Sequence, residues 1–96
     1  MLVKAGVDIS RLKPPIRKKL PLLAQHYRRR REELTVTSTY EGNHSEGSLH
    51  YAHLAIDTEM PLKGQKAFVE DLAEELGPDY DVVLEKDHIH TEYDPK

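Results

Sequence analysis

Two apolar stripes at helical spacing, each followed by a pair of short strand-like runs, leave this chain few folds to choose from. In the first stripe Ile16, Leu20, Leu23, Ala24 and Tyr27 share one face. Pro14 and Pro15 precede it and suit a first helical turn, where the N–H groups they lack would go unused. Pro21 breaks the pattern, so the helix expected over about 15–32 must kink or restart there. In the second stripe Phe68, Val69, Leu72, Ala73 and Leu76 line up, and Gly77 and Pro78 stop it. Between the stripes, Leu34 to Thr39 (LTVTST) reads as a strand from its β-branched content. Residues 41–48 (EGNHSEGS) read as a loop. Leu54 to Thr58 reads as a strand with Leu54 and Ile56 on one face and Ala55 and Asp57 on the other. Pro61 and Gly64 mark a turn. Two further strands, 81–85 and 88–93, follow the second helix, joined by a tight turn near Lys86 and Asp87. Residues 1–13 read as an irregular lead-in. The order α-β-β-α-β-β predicts a single α+β domain over residues 1–96, with two helices packed on a small, mostly antiparallel sheet.

A chain of 96 residues builds only a modest core, and this one has no cysteine to staple it. Disulfides, a thiol nucleophile and thiolate metal sites are thereby excluded, and a bound metal would matter to stability as well as to chemistry. The formal charge of -3 gives no reason to expect nucleic acid. Arg28 to Arg31 form a short basic run that reads as a solvated helix end, where cations suit the helix dipole. The N-terminus, MLVKAGVDIS, lacks the apolar stretch of a signal peptide, and no segment is apolar enough to span a membrane. The expected setting is cytoplasmic or phage-associated, with no membrane partner.

Five of the six histidines fall in two clusters. His44, His50 and His53 lie together with Asp57 close behind, and His88 and His90 open the last strand. On that strand His88, His90 and Glu92 share one face, and Ile89, Thr91 and Tyr93 the other. Ile89 can then enter the core while His90 points into a site. Each signal taken singly is weak. Together they bring imidazole nitrogens and a carboxylate oxygen, the donor set that suits Zn²⁺. Three protein ligands would leave a fourth position for water, and a carboxylate nearby could take its proton.

Ser48-Leu49-His50, then Ala55-Ile56-Asp57, then His88-Ile89-His90 resembles the zinc motif of the hedgehog/D-Ala-D-Ala peptidase superfamily. That motif runs Ser-x-His, Ala-x-Asp and a distant His-x-His. The run from Thr35 to Asp57 is especially similar to the signalling domain of hedgehog proteins, and the likeness extends over about residues 34–93. The resemblance implies a zinc metallopeptidase with His50, Asp57 and His90 as metal ligands and a peptidoglycan stem peptide as substrate. It implies Asp87, three residues before His90, as general base, with Glu85 as the alternative. His44 would stand beside the zinc water, and His88 would orient a ligand or contact substrate.

Each of these residues also has a plainer role available. Asp87 suits a turn, Glu85 a solvated strand end, and His44 an exposed loop. The Ser48 hydroxyl suits a bond to the loop backbone. His26, near the first apolar face, reads as a packed histidine. Two departures from the superfamily pattern stand out. His53 occupies a position that usually carries glycine, where its side chain would narrow the cleft or add a polar group to it. Residues 37–40 offer no arginine of the kind that grips a substrate carboxylate. A non-catalytic zinc domain that binds a partner or supports a larger assembly is therefore the alternative function.

Overall fold

The structure is a computed structural model and describes residues 1–41 and 48–95. Its elements are β1 (Leu2–Val3), α1 (Pro14–Arg17), α2 (Leu20–Arg29), β2 (Thr35–Ser38), β3 (Ala55–Glu59), α3 (Gln65–Leu76), β4 (Tyr80–Leu84) and β5 (His88–Tyr93). The five strands form one sheet in the order β1-β2-β3-β5-β4. Only the β1–β2 pairing is parallel. The α+β architecture and the mostly antiparallel sheet are those expected from the apolar patterning.

The first helical stretch is split, for the reason Pro21 suggested. A proline cannot donate to the carbonyl one turn earlier, so α1 ends after Arg17 and α2 begins afresh with Pro21 in its first turn. The end of α2 is unusual. Glu32 N–H donates to Tyr27 O at 3.0 Å and Arg31 N–H to Arg28 O at 2.8 Å, the paired bonds of a Schellman turn. Arg31 therefore occupies the left-handed position, with φ of 60°. A side chain there costs about 1–2 kcal/mol, which glycine avoids at a smaller entropic cost. Arg31→Gly is expected to stabilise the fold by about 0.5–1 kcal/mol, read as a higher denaturant midpoint at unchanged m-value.

One departure from the sequence reading lies in the lead-in, where a fifth strand forms. Leu2 N–H donates to Leu34 O at 2.8 Å and Lys4 N–H to Val36 O at 2.9 Å. A two-residue strand has no periodicity to read, so its partner alone defines it. Farther along, the Glu41 carboxylate fastens the lead-in to the end of β2. It accepts from Asp8 N–H at 2.5 Å, Thr39 N–H at 3.0 Å and the Thr39 hydroxyl at 2.7 Å.

The core lies on one face of the sheet. Ile16, Leu23 and Tyr27 from the first two helices and Phe68, Leu72 and Leu76 from α3 close over Ile56 and Ile89. The Tyr27 hydroxyl is buried with them, hydrogen-bonded to Thr58 Oγ1 at 2.8 Å and donating to Glu59 O. Because side chains alternate along a strand, Asp57, His88, His90 and Glu92 are left on the opposite face. The fold thus separates an apolar face under the helices from a titratable face on the other side.

Candidate metal centre

The centre begins with strand register. In the antiparallel β3–β5 pair, Asp57 stands directly opposite His90, with Ala55 opposite Glu92 and Glu59 opposite His88. Opposed residues share a face and place their side chains in contact. On the other side of β3, the register slips between Val36 and Ser38 and brings Ser38 opposite Asp57. Such an irregularity re-aims the chain beside it, and Thr39 follows at once.

His50 reaches the same place from the connection between β2 and β3. That connection is turned by bonds from His53 N–H to His50 O (3.0 Å) and Leu54 N–H to Leu49 O (2.9 Å). The Ser48 hydroxyl accepts from His50 N–H at 3.2 Å, the structural part its sequence suggested. His50 Nδ1 lies 2.6 Å from Thr39 O. A carbonyl only accepts, so Nδ1 carries the hydrogen and Nε2 of the neutral ring is bare. His90 is fixed the opposite way round. Its Nε2 lies 2.6 Å from the Glu92 carboxylate, which leaves Nδ1 bare in the neutral ring.

The bare atoms converge on Asp57. His50 Nε2 and His90 Nδ1 are 3.0 Å apart, and each is 3.1 Å from Asp57 Oδ1. An ion held tetrahedrally by bonds of about 2.0 Å separates its ligand atoms by about 3.3 Å. The triangle is nearly that size, and its members are buried (His50, Asp57) or half-buried (His90). The three residues thus form a group that could hold a metal ion, with a hydrogen-bond acceptor behind each imidazole, as metal-binding histidines usually have.

Electrostatics fit the same description. Burial pushes the Asp57 carboxyl up, but the imidazoles of His50 and His90, which donate to it whenever they take up a second proton, and the imidazolium charge they then carry outweigh it. The carboxyl is held well below the usual carboxylate range, so Asp57 is anionic at neutral pH. Burial pushes the His90 imidazole down, but the protonated ring can donate to Asp57 and Glu92 at once, and this more than offsets burial, raising it above the ordinary value.

The other expected site residues are more scattered. His44 lies outside the described residues. Asp87 does not reach the triangle: its side chain is 85% exposed, and its Oδ1 accepts from His88 Nδ1 at 2.6 Å. His88 in turn puts Nε2 3.6 Å from Asp57 Oδ1. Glu85 is exposed and closes the β4–β5 turn through its backbone, donating to His88 O at 3.0 Å. His53 has φ of 62° and sets its ring edge-on to Tyr40, 5.2 Å between centroids. Glycine adopts that backbone region at least cost, which explains physically why glycine would suit the position. His26 is a packed histidine, buried against the edge of Phe68 and bonded to Glu75.

Two contributors escaped the sequence reading. Glu92 was legible as a same-face neighbour of His90, two residues on, but had no assigned part. The Thr39 carbonyl carries no side-chain signal at all. The chain matches no protein-family model, no curated protein and no solved structure, so the centre is defined by its own side chains and distances.

Proposed function

We propose that the triad binds zinc and that the chain is a zinc metallopeptidase domain acting on a peptidoglycan stem-peptide bond. The observation that carries the reading is the triangle of His50 Nε2, His90 Nδ1 and Asp57 Oδ1, with edges of 3.0–3.1 Å. Two imidazoles and one carboxylate are a donor set for catalytic zinc, with one coordination position left over. The resemblance of the three spaced motifs to hedgehog/D-Ala-D-Ala peptidases supplies the substrate class, and a wall substrate fits a phage or prophage setting. Bound zinc would polarise the scissile carbonyl and lower the pKa of a water it holds toward about 7.

The protein's own groups have distinct tasks. Asp57 contributes the negative charge, buried and already ionised. Thr39 and Glu92 hold the two imidazoles in the tautomers that binding needs. Asp87, linked to the triad through His88, is preferred over Glu85 as the group that accepts a proton and returns it to the leaving amine. The zinc-loaded protein is expected to release new amino groups from peptidoglycan fragments, and His50→Ala to release none. Full zinc loading without cleavage of any wall peptide sinks the peptidase reading.

A second reading, a non-catalytic zinc-stabilised binding domain, is favoured by one observation. The Asp87 side chain is 85% exposed and its Oδ1 is taken up by His88 Nδ1 at 2.6 Å, so the preferred base stands outside the triad. The two readings separate on Asp87→Asn. A peptidase with Asp87 as base loses about 10²–10⁴-fold in rate, whereas a binding domain keeps its partner affinity.

A further inference from the structure

We propose that His88 is a fourth protein ligand, so that the resting centre is closed by three imidazoles and one carboxylate. The inference rests on the metal centre proposed above and goes beyond its three ligands.

The argument starts from the hydrogen bonds behind each ring. His50 gives Nδ1–H to the Thr39 carbonyl, and His90 gives Nε2–H to the Glu92 carboxylate. His88 gives Nδ1–H to the Asp87 carboxylate at 2.6 Å. Each ring therefore has one nitrogen occupied by an oxygen acceptor and the other turned inward. All three inward nitrogens face a single atom, Asp57 Oδ1, at 3.1, 3.1 and 3.6 Å. In the neutral rings those nitrogens are lone-pair donors, and the atom they face is an anionic oxygen. A proton shared between a ring and Asp57 can occupy such a cluster, and so can a metal ion that takes one lone pair from each ring. The 3.6 Å separation is too long for a hydrogen bond but close to the ligand–ligand spacing of about 3.3 Å around a tetrahedral ion.

The mutually close set is His50, Asp57 and His90, so His88 must swing inward to complete it. Its side chain is 32% exposed, so packing does not enclose the ring on every side. Strand geometry permits the rotation. His88 is two residues before His90 on the same face of β5, diagonal to Asp57 across the β3–β5 pair. Asp87 then has a defined job: it orients His88, as Glu92 orients His90. Any hydrolytic turnover must first displace His88 from the ion.

Long-range ¹H–¹⁵N NMR of the histidine rings reports which nitrogen is protonated, bare or metal-bound. Zinc added to the metal-free protein should move His50 Nε2, His90 Nδ1 and His88 Nε2 together, in one-to-one stoichiometry. His88→Ala should retain the first two shifts and weaken zinc about 10²-fold in chelator competition, and Asp87→Asn should weaken it roughly tenfold. If His50 and His90 become metal-bound while His88 Nε2 does not, this inference is overturned and the three-ligand centre stands. If no ring responds to zinc, both the centre and the inference fall.

Discussion

Zinc titrated into the metal-free protein should saturate at one ion per chain, and Asp57→Asn should weaken that binding by about 10²–10³-fold. The size follows from structural zinc sites, whose binding free energy of about 10–16 kcal/mol is shared among four ligands at roughly 2.5–4 kcal/mol each. Asp57 is the sensitive position because its Oδ1 is the vertex shared by His50, His90 and His88. Removing its charge takes away one ligand and the counter-charge for the rest. The binding should also depend on pH, with a sign set by His90. Zinc must displace any proton on His90 Nδ1, and Asp57 and Glu92 raise that imidazole above its ordinary value against the opposing pull of burial. Affinity should therefore rise with pH through and beyond about 6.5, the value for an unperturbed histidine. Calorimetry in buffers of different ionisation enthalpy would show the released proton. A Kd unaltered by Asp57→Asn would place the metal elsewhere.

The second large effect is on stability. At free zinc about 1,000 times its Kd, binding to the folded state alone adds about 4 kcal/mol. For a domain of this size each kcal/mol moves Tm by roughly 4–8 °C, so zinc should raise it by about 15–30 °C. The ligands explain why the whole fold gains. Asp57 belongs to β3, His90 to β5 and His50 to the connection between β2 and β3. An ion at their meeting point ties the middle of the sheet to the connection between β2 and β3. A chelator should reverse the shift, and Asp57→Asn should show little of it. Equal melting curves with and without zinc would mean that the ion, if bound, contributes nothing to folding.

How far the sequence led differs from element to element. The second helix was plain because Phe68, Leu72 and Leu76 repeat at helical spacing and Gly77, with φ of 92°, ends it. The alternation in HIHTEY separated Ile89 from His90 correctly, since side-chain direction along a strand is a matter of odd and even positions. The break at Pro21 followed from its missing N–H. Arg31 gave no such signal. Arginine is a good helix former, and its left-handed conformation comes from the turn that follows α2, not from its own preference. β1 was likewise illegible, because two residues acquire strand geometry only from the partner that accepts and donates their hydrogen bonds.

Asp87 shows the same limit at the site. The resemblance implied a group acting directly on the reaction, and its place in a tight turn suggested a structural residue. In the folded chain it does something spacing cannot express: it holds His88 by one nitrogen and leaves the other facing Asp57. Glu92 was visible on the correct face, but only the rotamer of His90 makes it the acceptor behind that ring.

The sequence alone determined the fold class and the strand faces, because these depend on local periodicity and residue chemistry, while the three candidate metal ligands came from the resemblance of its spaced motifs to a known superfamily. The tertiary structure decided the rest. The register that sets Asp57 against His90 and the slip beside Ser38 arise from pairing between segments far apart in the chain. So do the tautomers set by the Thr39 carbonyl and the Glu92 carboxylate. Such pairings depend on which backbone groups find each other once the helices have covered one face of the sheet, and no single stretch of sequence contains that information.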